Sequence, residues 1–233
     1  MVLHSKILNR LLNLMYPRTC AMCGRYIGDY IARGDIQQIV CNDCLRALPR
    51  TEQAELRQNE TEAVVGTTAA AFMFFEKHHP VQDMIHKMKF GQQPQIGYVL
   101  GRQAAIEWQD SELWNGVDVI IPVPLHPKRL RQRGYNQSEY IARGLSEVTG
   151  IPVDTTHVTR TRHTHQQALQ NSAGRKTNVA DAFAVNHPEQ LYHKTILLVD
   201  DLITTGETVK ACMKAMKAFR GAEIRVFALG KAR

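Results

Sequence analysis

Two neighbouring carboxylates and a hydroxyl-rich turn carry the most specific chemistry in this chain. Asp200 and Asp201 follow the apolar run 196–199, and Thr204, Thr205, Gly206, Glu207 and Thr208 come directly after. The apolar run reads as a buried parallel strand, and helical spacing resumes beyond the turn. A strand, a Thr/Gly turn and a helix start form an anion cradle, because backbone N–H groups and hydroxyls all donate there. A phosphate has no use for two acids, whereas sugar hydroxyls donate hydrogen bonds to them. The segment is therefore expected to seat a ribose carrying a 5′-phosphate. An ordinary strand-to-helix crossover with an acidic end is the plain alternative. It requires the acids, the threonines and the glycine to coincide by accident.

A second constellation is made of cysteines. Cys20 and Cys23 form one C-x-x-C knuckle, and Cys41 and Cys44 form another. Two such knuckles converge as four thiolates on one tetrahedral ion, so the spacing predicts a structural Zn²⁺ site. Two disulfides are the alternative, disfavoured in a chain with no secretory signal. The fifth cysteine, Cys212, sits among Val209, Met213, Met216 and Phe219 at helical spacing and reads as core.

A third constellation is basic. The formal net charge is +7, and residues 126–176 hold nine Lys/Arg against three Asp/Glu, a net of +6. Lys128, Arg129, Arg131 and Arg133 lie within six residues, followed by Tyr135, Asn136 and Gln137. Arginine forks suit phosphate oxygens, and a tyrosine beside them can stack on a base. The stretch is expected to be a loop serving as a pyrophosphate clamp or a nucleic-acid track. A solvated surface with scattered arginines is the bland alternative.

These groups need a frame. Apolar periodicity predicts a strand over 69–75, a helix after Pro80, a second helix opened by Pro94 and a strand over 117–121. A helix is expected from Asn136, with Glu139 reaching back as a capping box and Gly150 as its stop. Strand-like pieces follow near 151–153 and 183–185, then the acid-bearing strand, a helix over 207–220 ended by Gly221, and a strand over 224–229. Strands alternating with helices predict an α/β fold with a mostly parallel sheet. Residues 1–15 read as an N-terminal helix, 16–50 as a zinc-ribbon module and 63–233 as the large domain. No apolar run reaches the roughly 20 residues of a membrane span. No signal-type apolar stretch precedes residue 16, so a cytoplasmic protein is expected.

Residues 196–208 resemble the signature of type I phosphoribosyltransferases, which bind phosphoribosyl pyrophosphate (PRPP). The resemblance implies that the two acids hold the ribose 2′ and 3′ hydroxyls, that the loop holds the 5′-phosphate, and that Mg²⁺ accompanies PRPP. Glu207 departs from the small residue many relatives carry, so its side chain must turn outward. Thr204 stands where purine-salvage relatives often have Asp, which argues against a hypoxanthine–guanine enzyme.

The string 122–137 resembles the ComF family more closely still. So do Arg160, Arg162, Thr164, Gln167 and Leu169, with Arg175, Asn178, Val179 and Phe183, and the two cysteine knuckles complete the layout. In that family, named for natural competence, a zinc ribbon precedes a phosphoribosyltransferase-type domain. The resemblance implies a phosphoribosyl ligand such as PRPP and a role in DNA uptake or nucleotide metabolism. It also implies association with DNA-uptake or recombination machinery. A non-catalytic protein handling single-stranded DNA is the other reading of the same residues.

Overall fold

The computed structural model describes residues 17–28, 35–51, 67–76, 78–161 and 182–233. Four parallel strands form its centre: β1 (Ala69–Phe75), β2 (Val119–Pro122), β5 (Thr195–Ile203) and β6 (Glu223–Ala232), in the order β1-β6-β5-β2. A separate antiparallel pair, β3 (Val158–Arg160) with β4 (Phe183–Val185), lies beside them. The expected mostly parallel sheet is present. The piece near 151–153 contributes only an isolated parallel bridge, Val153 to Ile120.

Strand alternation divides the core in two. In β5 the side chains of Ile196, Leu197, Leu198 and Val199 are all fully buried. Ile196 and Leu198 pack with Val209, Cys212 and Met216 of α6 (Glu207–Met216). Leu197 and Val199 face the opposite layer of α2 (Val81–Phe90), α3 (Gln95–Glu107) and α5 (Gln137–Thr149). A strand covered on both faces must be apolar throughout, as this run is. Each of these side chains contributes roughly 1.5–3 kcal/mol by its burial.

The strand does not stop at the acids, as the sequence reading expects. It continues through Asp200 and Asp201 to Ile203, paired with β6 as far as Ile203 opposite Lys231. Continued backbone pairing carries the chain past two charges that would otherwise mark a strand end.

Helices α3 and α5 approach through glycines. A Cβ on Gly144 would lie 2.0 Å from the Tyr98 carbonyl oxygen, and one on Gly101 would lie 2.3 Å from that of Ile141. Only glycine allows backbones so close. The approach fixes α5, whose N-terminus meets the acids.

The cysteine segment is built into the same structure. Short helix α1 (Asn42–Arg46) follows Cys41. Ala21, Met22, Ile39 and Val40 belong to the core layer of α2 and α3. The chain then runs along the free edge of β1, with Arg50 bridged antiparallel to Met73 and the Phe74 N–H donating to the Pro49 carbonyl at 2.7 Å. Arg50 also clamps Glu107 of α3 through two bonds of 2.7 and 2.8 Å. The expected N-terminal helix, residues 29–34 of the expected zinc-ribbon module, and residues 162–181 lie outside the described residues. Among the described residues no helix is long and apolar enough to cross a membrane.

Candidate functional site

The two acids are buried, at 8% and 5% relative exposure, and each is already engaged. Asp201 Oδ1 lies 2.9 Å from Lys89 Nζ at the end of α2, and its Oδ2 accepts from Gln137 Nε2 at 2.6 Å. Asp200 Oδ1 accepts from the Ser138 hydroxyl at 3.3 Å and from the Asp201 N–H at 2.8 Å. Gln137 and Ser138 open α5. The positive end of a 13-residue helix therefore faces the carboxylates. Asn136 holds that end as N-cap, accepting from the Ser138 N–H and donating to the Val123 carbonyl. Glu139 instead pairs with Arg143 at 2.6 Å, so the cap is a simple Asn cap and not a capping box.

Burial and the neighbouring Asp201 charge push the Asp200 carboxyl up to about 7, against the pull of the Asp201 N–H, Lys89 and Ser138. A strand-end acid facing water would add little to the fold. These two are structural members of a buried polar network, and that changes what their substitution does.

The turn beyond the acids opens α6. Gly206 is its N-cap in the left-handed region at φ 72°, with no side-chain cap bond. Thr204, Thr205 and Glu207 are exposed and Thr208 is half-buried. Glu207 thus has its side chain at the surface, away from the core. The first intrahelical bond comes from the Lys210 N–H to the Gly206 carbonyl at 2.9 Å. The earlier N–H groups of the helix start are the ones an anion would use.

The basic stretch is not the expected loop. It is helix α4 (Pro127–Arg133), with the His126 ring accepting from the Lys128 N–H, Pro127 in its first turn and left-handed Gly134 as its end. Proline in the first turn and glycine just past the end suit a short helix. Helical geometry splits the four cations. Arg129 and Arg133, one turn apart, are half-buried, whereas Lys128 and Arg131 are exposed. Arg133 donates to the Gln137 side-chain oxygen and lies 4.9 Å from the Phe90 ring centroid. Burial lowers its pKa, opposed by the charge of Asp201. Tyr135 is anchored, its hydroxyl donating to the Met88 carbonyl at 2.6 Å and its ring edge-on to Tyr140.

Two members of this arrangement, and the role of a third, have no signal in the sequence. Lys89 looks like any lysine in a helix's last turn. Phe90, 64% exposed beside Arg133, looks like a core residue of α2. Gln137 was visible as an amide near the arginines, but its bridging position depends on the α3–α5 packing.

The cysteines do converge. The Sγ atoms of Cys20, Cys23, Cys41 and Cys44 all lie within 4.8 Å of one another. Cys23 and Cys41 Sγ are 3.8 Å apart. Tetrahedral Zn–S bonds of ~2.3 Å place sulfurs about 3.8 Å apart, so the set fits such an ion. Left-handed Gly24 shapes the first knuckle, its N–H donating to the Cys20 carbonyl at 2.9 Å. Burial raises the Cys20 thiol, yet N–H groups from Cys23, Cys41 and Met22 outweigh it and bring it to about 7. Burial and the three other sulfurs push Cys44 up. A sulfur that ionises near neutral pH among three crowded neighbours suits a cation. These four residues could hold a metal ion.

Residues 92–232 match the phosphoribosyl transferase domain. The chain belongs to that family. The phosphoribosyl transferase domain thus spans the sheet from α3 onward and includes both acids and the turn, while Lys89 and Phe90 lie just ahead of it. The chain is also similar to DNA utilization protein YhgH of Shigella flexneri, 33% identical over 64% of this chain and 66% of that protein. The Escherichia coli K12 protein of the same name matches over the same shares at the same identity. Competence protein F of Haemophilus influenzae is 34% identical over 66% of this chain and 69% of its own length. The match thus spans about two thirds of these relatives, and the competence-type resemblance of the sequence holds.

Proposed function

We propose that this chain binds PRPP, or a closely related phosphorylated ribose, at the end of its parallel sheet, and that it serves the handling of incoming DNA in the cytoplasm. The observation that carries the reading is the continuous path from Asp200 and Asp201 on β5 into the turn 204–208 that opens α6. Acids for a diol and N–H groups for a phosphate follow one another within nine residues, in a phosphoribosyl transferase domain.

In this reading Asp200 and Asp201 take the ribose 2′ and 3′ hydroxyls. Thr204, Thr205, Gly206, Glu207 and Thr208 surround the 5′-phosphate, with the Glu207 side chain outside. Arg129 and Arg133 line the side from which pyrophosphate would depart. As an enzyme the protein would break the bond between ribose C1 and the pyrophosphate oxygen and form one from C1 to a nucleophile. Its contribution would be alignment and stabilisation of the leaving anion. Mg²⁺ would enter with the pyrophosphate and offset its charge. The four cysteines would hold Zn²⁺ as a structural ion that ties the 20–44 segment to α2 and α3.

A second reading has a specific observation behind it. Lys128 and Arg131 are exposed on the outer side of α4, and Phe90 is exposed beside Arg133. Exposed cations together with an exposed aromatic ring suit single-stranded nucleic acid. The names of the relatives, DNA utilization protein and competence protein F, point the same way. Both ligands can share the crevice, with single-stranded DNA on the outer side of α4. Calorimetric titrations with PRPP, 5′-phosphoribose and short single-stranded DNA, run in parallel, separate the readings. Binding of PRPP supports the first, and binding of DNA alone supports the second.

A further inference from the structure

Lys89 occupies the position at Asp201 that a ligand would be expected to take. Its Nζ is 2.9 Å from Asp201 Oδ1, and the two side chains are 20% and 7% exposed. The second oxygen of Asp201 is taken by Gln137, itself held by Arg133. Asp201 therefore carries a half-buried ammonium on one oxygen and an amide on the other. A divalent cation on Oδ1 would lie against the Lys89 ammonium and must displace it, whereas a ribose hydroxyl can use the lone pairs that remain.

The two occupants differ in mobility. Gln137 is a first-turn residue of α5, only 6% exposed and hydrogen-bonded at both ends. Lys89 reaches the acid on four methylenes from the last turn of α2, and the next residue but one, Gly91, ends that helix. A compact charge on a flexible stem can leave without disturbing the backbone.

We propose that Lys89 is a stand-in cation, a positioning residue that holds Asp201 in the unliganded protein and closes the acid pair to free divalent metal. A bare metal ion must expel an ammonium that is already paired and mostly buried. A metal arriving on a polyphosphate brings phosphate oxygens to which the displaced ammonium can turn. The site is thereby selective for a metal–polyphosphate ligand bearing a diol, over the metal alone. This rests on reading the acid pair as the ribose end of the site.

The test uses Mn²⁺ as the probe, followed by electron paramagnetic resonance on the full chain without nucleotide. Lys89→Gln removes the charge but keeps an N–H donor for Asp201. It should bind free Mn²⁺ at least tenfold more tightly than wild type, and Lys89→Arg should bind as weakly as wild type. Equal Mn²⁺ affinity in wild type and folded Lys89→Gln overturns the proposal. Should Lys89→Gln fail to fold, the wild type carries the test. Millimolar Mg²⁺ alone should then leave the rate of amine labelling of Lys89, read by mass spectrometry, unchanged, while Mg²⁺ with PRPP alters it; a rate that rises with Mg²⁺ alone, or that responds to neither, is the contrary result. A wild type that binds no PRPP would end the phosphoribosyl reading while leaving the Mn²⁺ comparison to judge Lys89.

Discussion

The side chain of Gln137 connects the basic helix to the acid pair, donating to Asp201 Oδ2 at 2.6 Å while accepting from Arg133. Neither bond can be made by an apolar replacement, and both ends are buried or half-buried. Gln137→Leu should therefore lower the free energy of unfolding by about 2–3 kcal/mol, since it leaves a buried carboxylate oxygen and a guanidinium short of a partner. Urea denaturation measures it. A loss under about 0.5 kcal/mol would mean that the bridge is not formed in solution.

Asp200 gives a pH dependence of defined sign. Its folded pKa of about 7 is raised above the unfolded value near ~3.9. The folded state thus holds the extra proton between about pH 4 and pH 7. The stability from this group is full below the unfolded value and is lost as pH rises through the folded one. Asp200→Asn keeps an oxygen for Ser138 and for the Asp201 N–H but cannot ionise. It should match wild type near pH 4 and exceed it at pH 8, as read by melting temperature across the range. A variant less stable than wild type at pH 8 would show that Asp200 is held ionised without cost.

The glycine contact between α3 and α5 should be intolerant of the smallest side chain. Gly144→Ala places a carbon 2.0 Å from the Tyr98 carbonyl oxygen, which is backbone and cannot rotate aside. The helices must separate, at a cost of about 2 kcal/mol or more, and the N-terminus of α5 must shift against the acids. Chemical denaturation and PRPP titration should therefore both be affected. Gly150→Ala, at a left-handed helix end with open space around it, should affect stability alone.

Zinc should be present at one ion per chain, and Cys41→Ser should lose it. Because Ala21, Met22, Ile39 and Val40 share the core layer of α2 and α3, the effect should spread beyond the knuckles. Chelation should lower the melting temperature of the bulk helical signal by several degrees, roughly 4–8 °C per kcal/mol in a domain of ~100 residues and less in a larger one. Elemental analysis with thermal melts by circular dichroism checks both statements. Metal-free protein melting like the native one would contradict them.

Much of this was legible in the residues. Strand 69–75, the helix after Pro80 and the stop at Gly150 follow from local pattern and turn chemistry, and the structure has all three. The cysteine cluster follows from spacing alone. Local reasoning failed where neighbours in space decided the outcome. Charge at Asp200 suggested a strand end, yet pairing with β6 extends the strand to Ile203. Dense arginines suggested a loop, although His126, Pro127 and Gly134 already carried the marks of a short helix. Lys89 had no signal at all, because its importance comes from a carboxylate 112 residues away.

The outward cations supply the test of DNA binding. Lys128 and Arg131 are exposed, whereas Arg133 is held by Gln137, so replacing the outer two by Ala should spare the acid network. Affinity for single-stranded DNA should fall with salt at a log–log slope of roughly −0.7 per phosphate contacted, and the double variant should flatten it by about 1.4. Fluorescence anisotropy at a series of salt concentrations reads the slope. An unchanged slope would remove α4 from any nucleic-acid surface.

A phosphoribosyl ligand at the acid pair and the turn after it is what the rest of the proposed function depends on. Isothermal titration of PRPP with Mg²⁺ into wild type and into the Asp200→Asn, Asp201→Asn double variant tests it most directly, with circular dichroism confirming that both are folded. Wild type should bind saturably and the variant at least tenfold more weakly, because amides replace both diol acceptors. Equal affinity in the two proteins would contradict it.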